Sequence, residues 1–349
     1  MRMAFDPSRD RDTWQRAEEA TRQGDVLVDR FGRSKRKLRL SLTDRCNFRC
    51  GYCMPEDPEW TPRHELLSFE ELLGIAQLFV SRMGVTNIRL TGGEPLVRRG
   101  VPAFIERLNE LRPLGLERIS MTSNASLLDR HAAALVKAGL DDVNISIDSI
   151  DPERFRQMTG GGELEPVLRG IRATRDAGLS MKLNAVAIRG ENEDDVVPLT
   201  QWAMGEGISL RFIEFMPLDA RGGWQPNKVF TEDEIITALK QHFIVEQLPR
   251  TREPATYYRM DGDYRLGIIS TISNPFCGSC DRVRVTSTGE IYPCLFSPVC
   301  TDLKTPLRSG ASREELEQTI RGAVWRKGRG FVESRGYVER AISMHGLGG

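Results

Sequence analysis

Short runs in which apolar and polar positions alternate recur along this chain from Lys37 onward. They fall at Leu38–Thr43, Asn87–Thr91, Arg118–Thr122, Val143–Asp148, Met181–Ile188 and Ser209–Phe215. Each has the length and two-residue period of a β-strand. Between them the apolar spacing lengthens. Phe69, Leu72, Leu73, Ala76, Phe79, Val80 and Met83 repeat at steps of three and four, which gathers them on one helix face. Ser68 with Glu71 and Thr231 with Glu234 predict capping boxes, and Asp151–Pro152 predicts an N-cap followed by proline in the first turn. Gly84, Gly139 and Gly178 stand where the preceding helices should stop.

Six strands alternating with helices predict a parallel sheet, because each parallel strand needs a crossover to return. The unusual residues all follow strand ends: cysteines after the first, Thr-Gly-Gly-Glu-Pro after the second, Thr-Ser-Asn after the third. Active sites of barrels lie at that end of their strands. The expected fold is therefore α/β, a partial (β/α)6 TIM-like barrel over residues 31–245. Residues 1–30, dense in charge, are expected to form a mobile arm. After residue 245 the rhythm changes to short strands within Glu253–Ile272, more cysteines and a helical stretch at Arg313–Arg326. Residues 246–349 are expected to be an extension packed onto the barrel. The charge runs at Glu18–Glu19, Glu191–Asp195 and Arg313–Glu317 read as solvated helix faces.

A chain of 349 residues buries a core without disulfide or metal staples, so any metal it binds should serve chemistry. Lys plus Arg (49) equals Asp plus Glu (49), leaving no global field to draw nucleic acid or anionic lipid. No run of 18 apolar residues occurs, and Met1–Arg30 has no apolar signal core. A cytoplasmic protein with neither a membrane nor a nucleic-acid partner is expected.

The 7 cysteines fall in two groups, and an odd number in a chain without an export signal points to metal ligation over disulfides. Cys46-Asn-Phe-Arg-Cys50-Gly-Tyr-Cys53 follows a strand directly. Three thiolates from one loop suit three corners of a 4Fe–4S cube and leave one iron open. A zinc knuckle is the alternative, with His64 as the only histidine close by. Cys277-Gly-Ser-Cys280 with Cys294 makes a second triplet. It reads as a second three-cysteine cluster, or as a zinc site if Cys300 is a fourth ligand.

The first triplet, with Tyr52 before its last cysteine and Gly92-Gly93-Glu94-Pro95 one strand away, resembles radical S-adenosylmethionine enzymes. Within them, the spacing of the second triplet and nearly the whole chain from Arg36 resemble the GTP 3′,8-cyclase family of molybdenum cofactor biosynthesis. The agreeing stretches include Leu38-Arg-Leu-Ser-Leu-Thr-Asp-Arg-Cys46, Arg211-Phe-Ile-Glu-Phe-Met216, Cys280-Asp-Arg-Val-Arg284 and the terminal Gly348-Gly349. The resemblance implies a lyase with two 4Fe–4S clusters, on Cys46, Cys50 and Cys53 and on Cys277, Cys280 and Cys294. It implies S-adenosylmethionine bound by Tyr52, Gly93, Ser146 and Met216. In that family a 5′-deoxyadenosyl radical removes hydrogen from C3′ of GTP, the C3′ radical adds to guanine C8, and one-electron reduction yields 3′,8-cyclo-7,8-dihydro-GTP. An external one-electron reductant, a downstream cyclic pyranopterin monophosphate synthase and a homodimer are the implied partners.

GTP carries about four negative charges, which arginine forks suit. On strand alternation alone, Arg39 and Arg89 read as outward positions with their heads in solvent. The resemblance instead makes Arg39, Arg89, Thr122, Lys182, Arg211, Arg282, Val283 and Arg284 the GTP-binding set. Of these, Arg39, Arg282 and Arg284, with Gly348 and Gly349, are implied in catalysis. Asn87 departs from the family's usual Lys, and Ala125 from its usual Gly. Two rivals predict other features. A peptide-modifying radical enzyme would want an acidic or peptide-binding groove, and an electron carrier would not need Gly92–Pro95.

Overall fold

The computed structural model describes residues 26–218, 222–331 and 343–348. Six parallel strands form where the alternation predicts them: β1 (Lys37–Ser41), β2 (Asn87–Thr91), β3 (Arg118–Ser123), β4 (Asp142–Ser146), β5 (Ser180–Ala187) and β6 (Leu210–Glu214). The connecting helices are α1 (Phe69–Met83), α2 (Val101–Asn109), α3 (Leu128–Lys137), α4 (Pro152–Met158), α5 (Leu164–Asp176) and α6 (Val196–Gly205). After α7 (Glu232–Lys240) come β7 (Val245–Gln247), β8 (Thr256–Met260), β9 (Tyr264–Ile269), β10 (Arg282–Val285), β11 (Glu290–Tyr292) and β12 (Thr301–Asp302). The short α8 (Lys304–Arg308), α9 (Arg313–Trp325) and α10 (Met344–Leu347) follow.

The local signals act as expected. Ser68 Oγ accepts from the Glu71 N–H at 3.1 Å while Glu71 takes the Ser68 N–H at 2.6 Å, which satisfies two orphan donors at the start of α1. Asp151 caps α4 by accepting from the Arg154 N–H at 2.8 Å. Gly84, with φ of 64°, ends α1 in the left-handed region.

The extension differs from expectation. Instead of packing on a finished barrel, it lengthens the sheet at both edges, giving the order β12-β11-β10-β1-β2-β3-β4-β5-β6-β9-β8-β7. β10 joins β1 and β9 joins β6, both in parallel, and the strands beyond them turn antiparallel. The two end strands do not pair with each other, so the barrel stays open. Buried Glu214 fastens the extension to β6, accepting from the backbone N–H groups of Glu232, Ile272 and Ser273 at 2.8–2.9 Å.

Two other expectations shift. Most of residues 1–30 lies outside the described residues, yet the end of that arm is docked. Leu27 is buried, its N–H bonds Met83 at 2.9 Å, and Asp29 pairs with Lys35. Glu191–Asp195 is a solvated face only in part: Glu191 and Asp194 are exposed. Asn192 and Asp195 are buried, and the Asn192 amide donates to the carbonyls of Asp148 and Val186. A polar residue that supplies the bonds a loop backbone lacks belongs inside.

Strand alternation sorts the side chains. Leu38, Leu40, Ile88, Leu90, Ile119, Met121, Val143, Ile145, Leu183, Val283 and Val285 turn to one face and share a single hydrophobic core with the helices. The opposite face, which the curving sheet encloses, carries the polar partners. Among the described residues no helix is long and apolar enough to cross a membrane.

Candidate active site

The register places the charged residues of the enclosed face in one row. Arg39 stands opposite Arg284 on one side and Arg89 on the other, and Lys37 likewise stands between Arg282 and Asn87. Arg89 faces Ser120, Thr122 faces Asn144, Asn144 faces Lys182, and Asn184 faces Arg211. The outward reading of Arg39 and Arg89 is thereby corrected: the curvature of the open sheet turns that face inward and leaves both residues half-buried.

Few carboxylates answer these cations. Arg39 lies well below the ordinary guanidinium range because of burial first, then repulsion from Arg284, Arg89, Arg282 and Arg211. Burial also lowers Arg89 to about 10, with Asp142 opposing and Arg211, Arg118 and Arg282 adding to the shift. Lys182 is lowered by burial and by Arg211. The bonds that do form are mostly to neutral groups. Arg89 Nε donates to Ser120 Oγ at 3.0 Å, and Arg211 donates to Asn184 Oδ1 at 2.9 Å and Asn144 Oδ1 at 2.8 Å. Arg282 Nε, Asn144 Nδ2 and Thr91 Oγ1 are buried with no hydrogen-bond partner among the described residues. Such orphans are costly unless a ligand answers them, and a surplus of partly buried guanidinium charge suits a polyanion. The Asn87 side chain, on this row, donates to Thr86 Oγ1 at 3.0 Å. The Val283 side chain is wholly buried in the core, so only its backbone can meet a ligand.

The first cysteine loop sits above this row. Gly92 and Gly93 are glycine because a Cβ at either would collide with the backbone of Thr43 or Arg45. The Gly93 N–H donates to Thr43 O at 2.8 Å and the Glu94 N–H to Arg45 O at 2.9 Å. The turn thus braces the cysteine loop. Glu94 is buried, its carboxylate accepting from the backbones of Leu96 and Asn124 and from Ser123 Oγ, and burial raises it to about 7. Tyr52 donates to Asp148 Oδ2 at 2.6 Å, tying the loop to the end of β4, and burial lifts Asp148 to about 6. Ser146 ends β4 opposite Asn184, and Met216 lies just beyond β6.

Burial and neighbouring acids hold these thiols protonated. Cys46 rises to about 11 through burial and Glu94, and Cys53 to about 12 through burial, Cys46 and Asp148. Only a bound cation would reverse this, as metal coordination deprotonates a thiol outright. Among the described residues no three Cys, His, Asp or Glu side chains converge as one metal ion needs. A 4Fe–4S cube takes each thiolate at a different iron and fits ligands that stand apart.

Cys277 and Cys280 flank a single 3-10 turn immediately before β10. Across the β10–β11 ladder Arg284 pairs with Tyr292, which sets Cys294 at the Cys280 end. Cys300 precedes β12, and its thiol is 3.7 Å from Glu290 Oε1. No disulfide forms.

The last described segment closes the site. Gly348 has φ of 74°, its carbonyl accepts from Arg284 Nη1 at 2.7 Å, and a Cβ there would overlap Thr91 Oγ1. His345 is buried, stacks edge-on to Trp60 at 6.2 Å and hydrogen-bonds the Cys53 backbone. Gly349 lies outside the described residues. Sequence reading missed Asp148, Asn144, Asn184, His345 and Trp60. Only the strand-end position of Asp148 offered a signal.

Known proteins resemble this chain throughout. Residues 40–203 match the radical SAM superfamily, and residues 208–332 match a family described as molybdenum cofactor synthesis C. The GTP 3′,8-cyclase of Corynebacterium glutamicum (strain ATCC 13032) is 43% identical over 337 residues, covering 93% of this chain and 89% of that one. The Streptomyces coelicolor enzyme of the same name is 40% identical over 338 residues, covering 95% and 98%. Among solved structures, Streptococcus suis SuiB bound to its precursor peptide SuiA aligns with a TM-score of 0.60 at 12% identity, covering 90% of this chain and 69% of that one. At that identity the likeness concerns the fold.

Proposed function

The chain belongs to the GTP 3′,8-cyclase family, and on that premise we propose that it converts GTP to 3′,8-cyclo-7,8-dihydro-GTP, an early step of molybdenum cofactor biosynthesis. The observation that carries this reading is the row of partly buried guanidiniums, with Arg284 buried among them and orphaned polar atoms beside them, which a triphosphate would answer.

Cys46, Cys50 and Cys53 would hold one 4Fe–4S cluster, and Cys277, Cys280 and Cys294 a second. When bound, the first cluster with S-adenosylmethionine would supply the radical chemistry for hydrogen removal from C3′ of the substrate. The protein's own part is to bind, orient and exclude water. Tyr52, fixed by Asp148, with Gly93, Ser146 and Met216 lines the S-adenosylmethionine side. Arg39, Arg89, Thr122, Lys182, Arg211, Arg282, the Val283 backbone and Arg284 form the GTP side. Gly348 enters between them, its glycine backbone occupying space that a side chain would overfill, and the terminal Gly349 is assigned to the same catalytic tail by the resemblance. An external one-electron reductant completes the reaction, and a cyclic pyranopterin monophosphate synthase takes the product. We read residues 1–30 as an arm, 31–245 as the radical barrel and 246–349 as the extension of a cytoplasmic homodimer.

The test is anaerobic reconstitution of cysteine variants. Wild type should hold about eight irons. Cys46→Ser should abolish S-adenosylmethionine cleavage, whereas Cys280→Ser should keep part of it while losing cyclised GTP. Full product formation by Cys280→Ser would contradict the two-cluster assignment.

A further inference from the structure

The second cysteine triplet sits in a cradle of cations that the proposed reaction does not use. Asp29 is buried and binds Arg33 Nε at 2.6 Å and Lys35 Nζ at 2.8 Å. From that brace Arg33 Nη1 reaches the Cys277 carbonyl at 2.9 Å and Nη2 the Gly328 carbonyl at 2.7 Å. Lys35, wholly buried, donates to the Cys280 carbonyl at 2.6 Å. Opposite them Lys327 is 2% exposed and donates to the Arg282 carbonyl at 3.0 Å and to Cys280 Sγ at 3.3 Å. Gly330, with φ of 112°, lies so close that a Cβ would stand 2.6 Å from Cys277 Sγ.

Among the described residues Arg33 and Lys35 share the Asp29 carboxylate, and Asp281 is engaged with Lys37 at 2.9 Å. The first triplet has a different donor set: Cys46 Sγ receives the Phe48 N–H at 3.4 Å and the Asn124 amide at 3.8 Å, both neutral.

We propose that Lys327, braced by Lys35 and the Asp29–Arg33 pair, is a tuning residue of the second iron–sulfur cluster, its ammonium donating an N–H···S bond to the Cys280 thiolate and raising that cluster's reduction potential. The physical reason is the sign of the charge change. Reduction adds an electron to an already anionic cluster, and a buried cation against a ligand sulfur stabilises the reduced form more than the oxidised one. The low-dielectric surroundings keep water from screening that effect. The inference rests on the reading that Cys277, Cys280 and Cys294 hold a cluster.

The experiment uses the full-length, anaerobically reconstituted chain, with iron counting and a redox titration followed by electron paramagnetic resonance. S-adenosylmethionine is added to separate the two signals. Lys327→Met keeps the aliphatic stem and removes the charge, and Lys327→Arg restores the charge. In Lys327→Met the iron content should hold and the second midpoint should move to more negative potential while the first stays put. Lys327→Arg should recover most of the shift. An unmoved midpoint in Lys327→Met overturns the proposal, as does loss of the second cluster from both variants, which would make Lys327 a residue of assembly. A wild-type chain that loads only one cluster is seen in the iron count before any substitution, and it overturns the two-cluster reading together with this one.

Discussion

Arg284 Nη1 donates to the Gly348 carbonyl at 2.7 Å, joining a strand of the extension to the last described residue of the chain. Arg284 also stands beside Arg39 in the sheet register, so the tail meets the guanidinium row at its most crowded point.

The tail should matter for chemistry more than for stability. Gly348→Ala places a Cβ onto Thr91 Oγ1 at a residue with positive φ, which should drive the tail out. We expect cyclised GTP to fall by roughly a decade or more, as it should on deleting Gly348 and Gly349, which corresponds to about 1.4 kcal/mol or more at the transition state. Cluster content, melting temperature and S-adenosylmethionine binding should stay nearly constant. Full turnover by either variant would reduce the tail to an idle terminus.

If Arg284 binds GTP as proposed, Arg284→Ala should cost one charge-assisted contact, a loss of roughly 1.5–3 kcal/mol or about one to two decades in affinity. Calorimetric titration with GTP should show that loss at unchanged iron content. A variant that unfolds or sheds iron would mark Arg284 as structural.

Glu94 predicts a pH dependence. Burial raises its carboxyl from 4.5 to about 7, so its neutral form stabilises the fold. That contribution is complete below pH 4.5 and is lost as pH rises through about 7. Glu94→Gln cannot titrate, and its amide disrupts the bond to the Asn124 N–H. Its destabilisation relative to wild type should therefore be larger at pH 5.5 than at pH 8, by on the order of 2 kcal/mol. Thermal unfolding across that range measures the difference, and parallel curves would contradict the assignment.

Ala125 is buried with φ of 63°, a left-handed conformation that an alanine adopts at a cost of roughly 1–2 kcal/mol. Glycine fits there freely but loses some of that gain to its unfolded-state entropy. Ala125→Gly should stabilise the protein by about 0.5–1 kcal/mol net, read by denaturant unfolding. A destabilised variant would show that the methyl group's packing outweighs the strain.

Much of this was legible in advance. β2 begins and ends where alternation put it, at Asn87 and Thr91, because five residues of period two between turns leave a strand little freedom. The capping box at Ser68 and Glu71 was legible for the same local reason. What failed was tertiary. Alternation separates two faces but does not say which one the sheet will enclose, so Arg39 and Arg89 read as solvent-facing. The strands β9 and β10 that flank the six could not be placed either, since their partners β6 and β1 are not read from local pattern. Lys35 and Lys327 carry no mark of burial at all, because a lysine enters a protein interior only when its neighbours answer its charge.

The most direct test follows one atom. The reconstituted enzyme is given GTP deuterated at C3′, S-adenosylmethionine and a reductant under anaerobic conditions, and both products are analysed by mass spectrometry. The account predicts 5′-deoxyadenosine that has gained deuterium, formed alongside 3′,8-cyclised nucleotide. Deoxyadenosine without deuterium, with GTP recovered intact, would contradict it.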